Sequence, residues 1–362
     1  MTDNPSALAA ELELFDAEQI AGRLERLDVK ATLREAFAEL AQGSAVQPPQ
    51  SLVLLPEEAG DFIVYMGALG AKGVFGAKIS PYLSSLAKSG KPPVTAYTLL
   101  FSIATGRPAL LCDSLALTTE RTAATTSLAL DYLAPEVTRR LGVIGAGNLA
   151  RRHIALERQA RTWEEVRVFS PALVAGNEDR RARLEAACPG VEIVADAEAA
   201  VRGADVVMLC TSSGTPVIDA AWLGESVTVT SISTNVAQAH GIAPAALAGF
   251  HVFCDYRVTC PLSAGEMVLA RQYHGWDPAG IVADLPELVA GKSDLPKGRR
   301  FFRSIGLGLE DIAVASLCSI RSATAGHLGS SCATIRSDIS AEELRRLGAS
   351  PGNGGAGWLW GW

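Results

Sequence analysis

Residues 141–150 read Leu-Gly-Val-Ile-Gly-Ala-Gly-Asn-Leu-Ala, an apolar run that enters Gly145-Ala146-Gly147 and leaves through Ala150 into a basic stretch. This is G-x-G-x-x-A at a junction of strand and helix. In such a turn the first glycine permits a sharp reversal, the second lets backbone approach a pyrophosphate, and a small third residue lets helix pack on strand. The N-terminus of the following helix then offers free N–H groups to the phosphates. Glycine turns also join strands to helices with nothing bound, so the motif alone leaves two readings open. Its position decides the organisation: it lies near the middle of the chain, so a segment of similar size must fold before it.

The 362 residues suit two domains, and 48% hydrophobic residues with only 6% aromatic ones describe an Ala/Leu/Val-rich core with ample surface to bury. A formal charge of −7 provides no basic field to draw in nucleic acid or an anionic membrane. The pairs Arg139-Arg140 and Arg151-Arg152 read as solvated helix faces. No apolar stretch reaches the roughly 18 residues of a membrane span. The first residues lack a charged segment followed by an apolar one, and a cytoplasmic protein is expected. Cysteines at 112, 188, 210, 254, 260, 318 and 332 form no C-x-x-C pair and read as reduced thiols. His153, His251, His274 and His327 show no metal spacing, and no metal is predicted. His153 reads as a surface or packing residue.

Before the glycine turn, apolar spacing predicts helix from Leu12 through Leu27 and again over 29–40, ended by Pro48-Pro49. Strands are predicted over 51–55, 61–66, 74–80, 94–102 and 109–113, punctuated by glycine and proline. A helix over 117–133 follows, with Thr118 as its cap. After the turn, strands over 166–169, 191–194, 205–210, 226–232 and 252–254 alternate with helices, as a parallel sheet covered on both faces requires. Residues 265–273 and 279–290 read as helices, and Gly306-Leu307-Gly308-Leu309-Glu310-Asp311 opens another toward Ser319. The glycine- and tryptophan-rich residues 331–362 read as a disordered tail.

Four further blocks carry a resemblance to a known family. They are Gly76-Ala77-Lys78 after a strand, Thr105-Gly106-Arg107-Pro108 in a hairpin, Leu117-Thr118-Thr119-Glu120-Arg121-Thr122-Ala123-Ala124 ahead of the glycine turn, and Gly306 to Asp311. Together they resemble the ornithine cyclodeaminase/mu-crystallin superfamily over residues 10–325. The resemblance implies an α/β architecture in which a Rossmann dinucleotide-binding domain is inserted after an α+β domain for substrate binding and dimerisation. The borders follow: 1–135 plus about 306–330 for the outer domain, 136–305 for the Rossmann domain, and a homodimer formed through the outer one.

It also implies that Lys78 and Arg121 meet beside the nicotinamide. An arginine fork suits a carboxylate, and a partly desolvated lysine beside it suits proton donation to an imine nitrogen. Read without the resemblance, the residues leave a second account equally open, with Lys78 a strand-edge lysine and Arg121 a helix cap or a partner of Glu120.

Two positions depart from the cyclodeaminase pattern. Gln50 stands where an arginine is usual, and Asn235 where an acid handles the substrate amines; an amide cannot hold a proton at neutral pH. Cyclodeamination needs that acid, whereas one-way hydride transfer does not. The expected protein is therefore an NAD(P)H-dependent reductase of an imino acid, either a cyclic imine such as 1-pyrroline-2-carboxylate or 1-piperideine-2-carboxylate or the imine of a 2-oxo acid. Lys78 would protonate nitrogen, Arg121 and Gln50 hold the carboxylate, and Asn235 orient substrate or nicotinamide. His240, near Asn235 in sequence, reads as structural. Alternatives are an ornithine or lysine cyclodeaminase, an alanine- or opine-type dehydrogenase, and a non-catalytic mu-crystallin-like binding protein.

Cofactor contacts carried over from the resemblance are Thr95, Gly145, Ala146, Gly147, Asn148, Leu149, Thr211 and Ser212. Ser170 stands where NAD-specific domains place a ribose-binding acid, which favours NADP(H) over NAD(H), with Arg180 or Arg181 as further phosphate ligands.

Overall fold

The computed structural model describes residues 12–83, 85–86, 89, 94–232, 239–292 and 294–319. They build two sheets. In the first, β1 (Glu13–Phe15), β2 (Ala45–Val46), β3 (Ser51–Leu54), β4 (Gly60–Leu69), β5 (Val74–Leu83), β6 (Tyr97–Ser102) and β7 (Pro108–Asp113) run in the order β1-β7-β6-β5-β4-β2, with β3 also on β4. All its pairings are antiparallel except β1 with β7.

Helices α1 (Ala17–Leu24), α2 (Val29–Ala41) and α3 (Leu115–Leu133) accompany this sheet. Each of the first two begins at an aspartate whose carboxylate accepts a backbone N–H of the first turn, Asp16 from Gln19 and Asp28 from Ala31.

The second sheet is entirely parallel: β8 (Arg140–Ile144), β9 (Glu165–Phe169), β10 (Glu192–Ile193), β11 (Val206–Leu209), β12 (Thr228–Ser231), β13 (His251–Cys254), β14 (Ile281–Asp284) and β15 (Arg300–Arg303), in the order β10-β9-β8-β11-β12-β15-β13-β14. Helix α4 (Asn148–Ala160) follows β8 directly. Every residue of β11 and β12 is buried, as in a sheet covered on both faces. From β8 the chain first adds strands on one side, then returns to add β11 on the other. That reversal is the switch point at which ligands of open α/β sheets bind, beyond the carboxyl ends of the strands.

A final helix, α5 (Gly308–Cys318), returns to the first sheet and packs against β4, β5 and α2. Its approach is close. A Cβ on Gly308 would lie 2.2 Å from the Met66 carbonyl oxygen, and one on Gly67 would lie 2.8 Å from the Leu309 nitrogen. Leu309 N–H donates to Gln47 Oε1 at 2.8 Å. Glycine is thus required on both sides for helix and strand to touch.

The expected helix from Leu12 is in part a strand, because Glu13–Phe15 completes the sheet edge beside β7. The helix expected over 279–290 is β14 followed by a short helix, Leu285–Val289, started by a capping box on Asp284. Strand β15 was not expected. Its Arg-Phe-Phe-Arg sequence is too short and too charged at its ends to show a period, yet it is central in its sheet. Helix α3 begins two residues before the expected 117, so Thr118 lies in its first turn rather than at its cap, and Asp113 accepts the Leu115 N–H at 3.0 Å.

Candidate active site

A cleft of about 660 Å³ opens over the carboxyl ends of the parallel strands and extends to the first sheet. Its lining includes the ends of β8, β9, β11 and β12 at Ile144, Phe169, Thr211 and Ile232, with Ser304 after β15.

The glycine turn forms one end. Gly145 has φ +120°, and a Cβ there would lie 2.1 Å from the Cys210 carbonyl oxygen, so only glycine allows the reversal. At Gly147 a Cβ would meet nothing within 4 Å; the chain itself leaves that space open. Gly147 is the N-cap of α4 and provides no side-chain cap, so the helix's first N–H groups keep their capacity to bind an anion. Gly145, Ala146, Gly147, Asn148, Leu149, Ser170, Thr211 and Ser212 all line the cleft, together with Arg180. These residues fit a dinucleotide, whose pyrophosphate they would hold through backbone N–H groups.

The other end is made of side chains. Lys78 lies on β5, between β4 and β6, and is 1% exposed. It is therefore an interior lysine of a central strand. Its Nζ is 2.9 Å from Asp311 Oδ2, donates to Oδ1 at 3.0 Å and to Thr118 Oγ1 at 3.3 Å, and stands 4.2 Å above the Tyr65 ring.

Arg121 lies on α3, where Thr118, Arg121 and Thr122 share one face by their i, i+3, i+4 spacing and all line the cleft. Its Nε donates to Asp311 Oδ1 at 3.0 Å and its Nη1 to Glu310 Oε2 at 2.9 Å. Glu120 instead engages Arg152 of α4 at 2.6 Å, and Asn148 Nδ2 donates to Thr119 Oγ1 at 3.0 Å. These contacts fasten the helix of the glycine turn to the helix that carries Arg121.

Burial sets the electrostatics. Loss of water lowers the Lys78 pKa to about 8, with Asp311 opposing and Arg121 assisting. Burial also works against the Arg121 charge, but Asp311 and Glu310 outweigh it and hold the guanidinium above its ordinary value. Burial raises Glu310 to about 7 despite the neighbouring Arg121. At neutral pH the lysine is thus an ammonium with a proton to give, beside a guanidinium that stays charged.

Glu310, Asp311, Tyr65 and Asp255 were not foreseen as site residues. The first two stood in the closing block of the family resemblance, which gave no role to them. Asp255 has no sequence signal beyond following an apolar strand. Fully buried after β13, it accepts N–H bonds from Ile305 at 2.7 Å and Gly306 at 3.0 Å and the Ser304 hydroxyl at 3.2 Å, shaping the loop that borders the cleft. Gly306 in that loop has φ +79°, and a Cβ would stand 2.5 Å from Arg121 Nη1.

Thr95 and Gln50 are not in the lining. Thr95 stands behind it, its carbonyl accepting from the Ser80 hydroxyl at 3.2 Å, while Ser80 itself lines the cleft. Gln50 is half-buried, with an Oε1 that takes no hydrogen bond among the described residues. Asn235 falls within 233–238, outside the described residues, as do His327, Cys332 and the tail. His240 does not line the cleft, and Arg181 is turned to Glu185 at 3.7 Å. His153 is a buried packing residue, its ring nitrogens 2.7 Å from the Leu149 carbonyl oxygen and 3.0 Å from Thr126 Oγ1. Among the described residues no helix is long and apolar enough to cross a membrane.

Residues 13–324 match the ornithine cyclodeaminase/mu-crystallin family. The chain belongs to that family. It is 48% identical over 303 residues to the NAD(P)H-dependent anabolic L-arginine dehydrogenase DauB of Pseudomonas aeruginosa, covering 83% of this chain and 93% of that protein. It is 26% identical over 302 residues to the Delta(1)-pyrroline-2-carboxylate/Delta(1)-piperideine-2-carboxylate reductase of Azospirillum brasilense, again over 83% and 93%. The solved structure of Thermococcus litoralis Delta(1)-pyrroline-2-carboxylate reductase in complex with NADH and L-proline has the same fold, with a TM-score of 0.77, 24% identity, and 88% of this chain and all of that one covered.

Proposed function

We propose that this NAD(P)-dependent oxidoreductase of C–N bonds reduces an imine next to a carboxylate to the amino acid. The observation that carries the reading is the meeting of Lys78 and Arg121 on one buried carboxylate, in the same cleft as the glycine turn. A reduced nicotinamide held there supplies a hydride to the imine carbon. Arg121 Nη2 donates no hydrogen bond among the described residues and is the donor left for the substrate carboxylate. Lys78 Nζ gives the proton that the nitrogen gains. Holding both groups at fixed positions supplies much of the acceleration.

The candidate substrates are 1-pyrroline-2-carboxylate, 1-piperideine-2-carboxylate and imines of 2-oxo acids with ammonia. Among the last, the imine whose reduction yields L-arginine is the first to try, given the arginine dehydrogenase at 48% identity. Residues 1–135 with about 306–330 serve as the substrate-binding domain and 136–305 as the cofactor domain. Asn235 orients the substrate or the nicotinamide, whereas Gln50, outside the lining, is given no part in holding the carboxylate.

NADP(H) is the favoured cofactor. Ser170 and Arg180 line the cleft beyond β9. Partial burial and the nearby Arg183 and Arg180 hold Arg151 below its ordinary pKa, a crowding of like charge that a 2′-phosphate would relieve.

The protein works as a cytoplasmic homodimer. Support for the dimer comes from the face of the first sheet opposite Lys78, where Leu14, Met66, Phe75, Ile79, Tyr97 and Leu111 are exposed side by side. Support for the compartment comes from six free, buried cysteines among the described residues.

Initial rates over a panel of the two cyclic imines and 2-oxo acids with ammonia, each with NADH and NADPH, test the reading. Stoichiometric oxidation of NADPH with formation of one L-amino acid is expected. Ammonia release from ornithine or lysine without net redox change would replace it with cyclodeamination, and cofactor binding with no turnover across the panel would replace it with a binding role.

A further inference from the structure

We propose that Asp311 is a positioning residue of the reaction. Its carboxylate bridges the Lys78 ammonium and the Arg121 guanidinium, so that proton donor and carboxylate anchor are held as one unit beside the cofactor turn. The inference rests on the imine-reductase reading of the same cleft.

Three observations support it. Asp311 is fully buried and does not line the cleft, whereas both of its cationic partners do, so it acts through them. Its contacts are divided: Oδ1 accepts from Lys78 Nζ and from Arg121 Nε, both at 3.0 Å, while Glu310 engages Arg121 alone. The carboxylate is also fixed from behind, since α5 can approach β4 only through Gly67 and Gly308. Buried ion pairs of this kind add little net stability over apolar packing, which makes a purely structural role a poor account of two cations at the cleft wall with two carboxyl groups behind them.

The bridge matters when the proton moves. As hydride from the reduced nicotinamide forms the new C–H bond, the C=N π pair goes to nitrogen, which takes a proton from Lys78 Nζ. The lysine is left neutral until water restores its proton. Asp311 would then be a buried anion without a counter-ion, had it not Arg121 on the same oxygen. Sharing leaves the carboxylate with a cationic partner through the step, so that the guanidinium stays in place while the lysine gives up its proton.

The charged and titratable groups around Lys78 and Asp311 are Glu310 on the same helix, Arg121 on α3, Tyr65 on β4 and the Cys112 thiol on β7, which burial pushes up to about 11. Of these, Asp311 is the largest influence raising the Lys78 proton affinity. Asp311→Asn should therefore shift the alkaline limb of kcat to lower pH by about 1–3 units, with a much smaller change in cofactor affinity. Glu310→Gln should alter KM for the carboxylate substrate and leave the limb near its wild-type position. Asp311→Glu keeps the charge and should keep the limb while losing turnover, which covers the case of an Asn variant that does not fold. A 15N NMR titration of Lys78 Nζ reads the same shifts without turnover, so a protein that reduces no imine would break the functional reading and still test the bridge. A limb and an Nζ midpoint unmoved in Asp311→Asn, or moved as far in Glu310→Gln or Asp311→Glu, would overturn the assignment.

Discussion

The two ends of the cleft are built in opposite ways. The dinucleotide end is backbone: glycine conformations, helix N–H groups and strand ends, with Gly145 to Leu149 contiguous in sequence. The cation end is side chain, assembled from β5, α3 and α5, and its central contact joins Lys78 to a residue 233 positions away. A backbone site can be written in six residues and recurs wherever a strand turns into a helix over a ligand. A site of side chains exists only once the whole chain has folded, and it is this half that distinguishes one chemistry from another.

The largest test of that division is Lys78→Ala. Loss of a general acid should lower turnover by about 10² to 10⁴-fold while NAD(P)H affinity, measured by fluorescence titration, stays within a factor of two or so. Asp311 keeps Arg121 as its counter-ion in this variant, so folding should survive. Near-normal turnover would remove Lys78 from the chemistry, and a matching loss of cofactor affinity would show that the two ends are not separate.

Gly147→Ala tests the other end with a smaller expected effect. The added methyl meets no protein atom within 4 Å, so a change in melting temperature is not expected. The space it takes is where a pyrophosphate must approach the backbone, so cofactor affinity should fall about tenfold, near 1.4 kcal/mol. Undiminished affinity would mean that the glycine serves the turn and not the ligand.

The same division accounts for what could be read from the chain. The glycine turn, the parallel strands after it and the hairpin strand holding Lys78 all follow from local pattern. Lys78 and Arg121 do not: a lysine at the middle of a hairpin strand and an arginine in the second turn of a helix have ordinary surface readings. They were placed by family resemblance, and the structure shows why they cannot be surface groups, since β5 is central and α3 is buried along most of its length. Asp311 was invisible as a partner because nothing in an i, i+3, i+4 pattern records a contact made across sheet and helix. Asp255 was missed for the same reason: its function is to bind three groups of a loop fifty residues later. Strand β15 was missed because its burial comes from neighbours on both sides and not from its own composition.

The smallest expected effect concerns pH at the dinucleotide end. His153, one turn into α4, is the buried histidine there, and burial lowers its pKa to about 4. In the unfolded chain its pKa returns to about 6.5, so between those values the unfolded state binds the extra proton. The stability this provides is therefore complete above about pH 6.5 and lost as pH falls toward 4, amounting to about 1 kcal/mol between pH 7 and 5.5. Other groups such as Glu310 titrate in both proteins, so the test is the difference between them: from pH 7 to 5.5 the wild type should lose about 1 kcal/mol more in denaturant unfolding than His153→Asn does. Cofactor affinity should be flat from about pH 7 upward, because the backbone N–H groups that would hold the pyrophosphate do not titrate, while turnover falls through about 8 as Lys78 loses its proton. Cofactor affinity that declined along with turnover would place a titrating group at both ends and dissolve the distinction between a backbone site and a side-chain site.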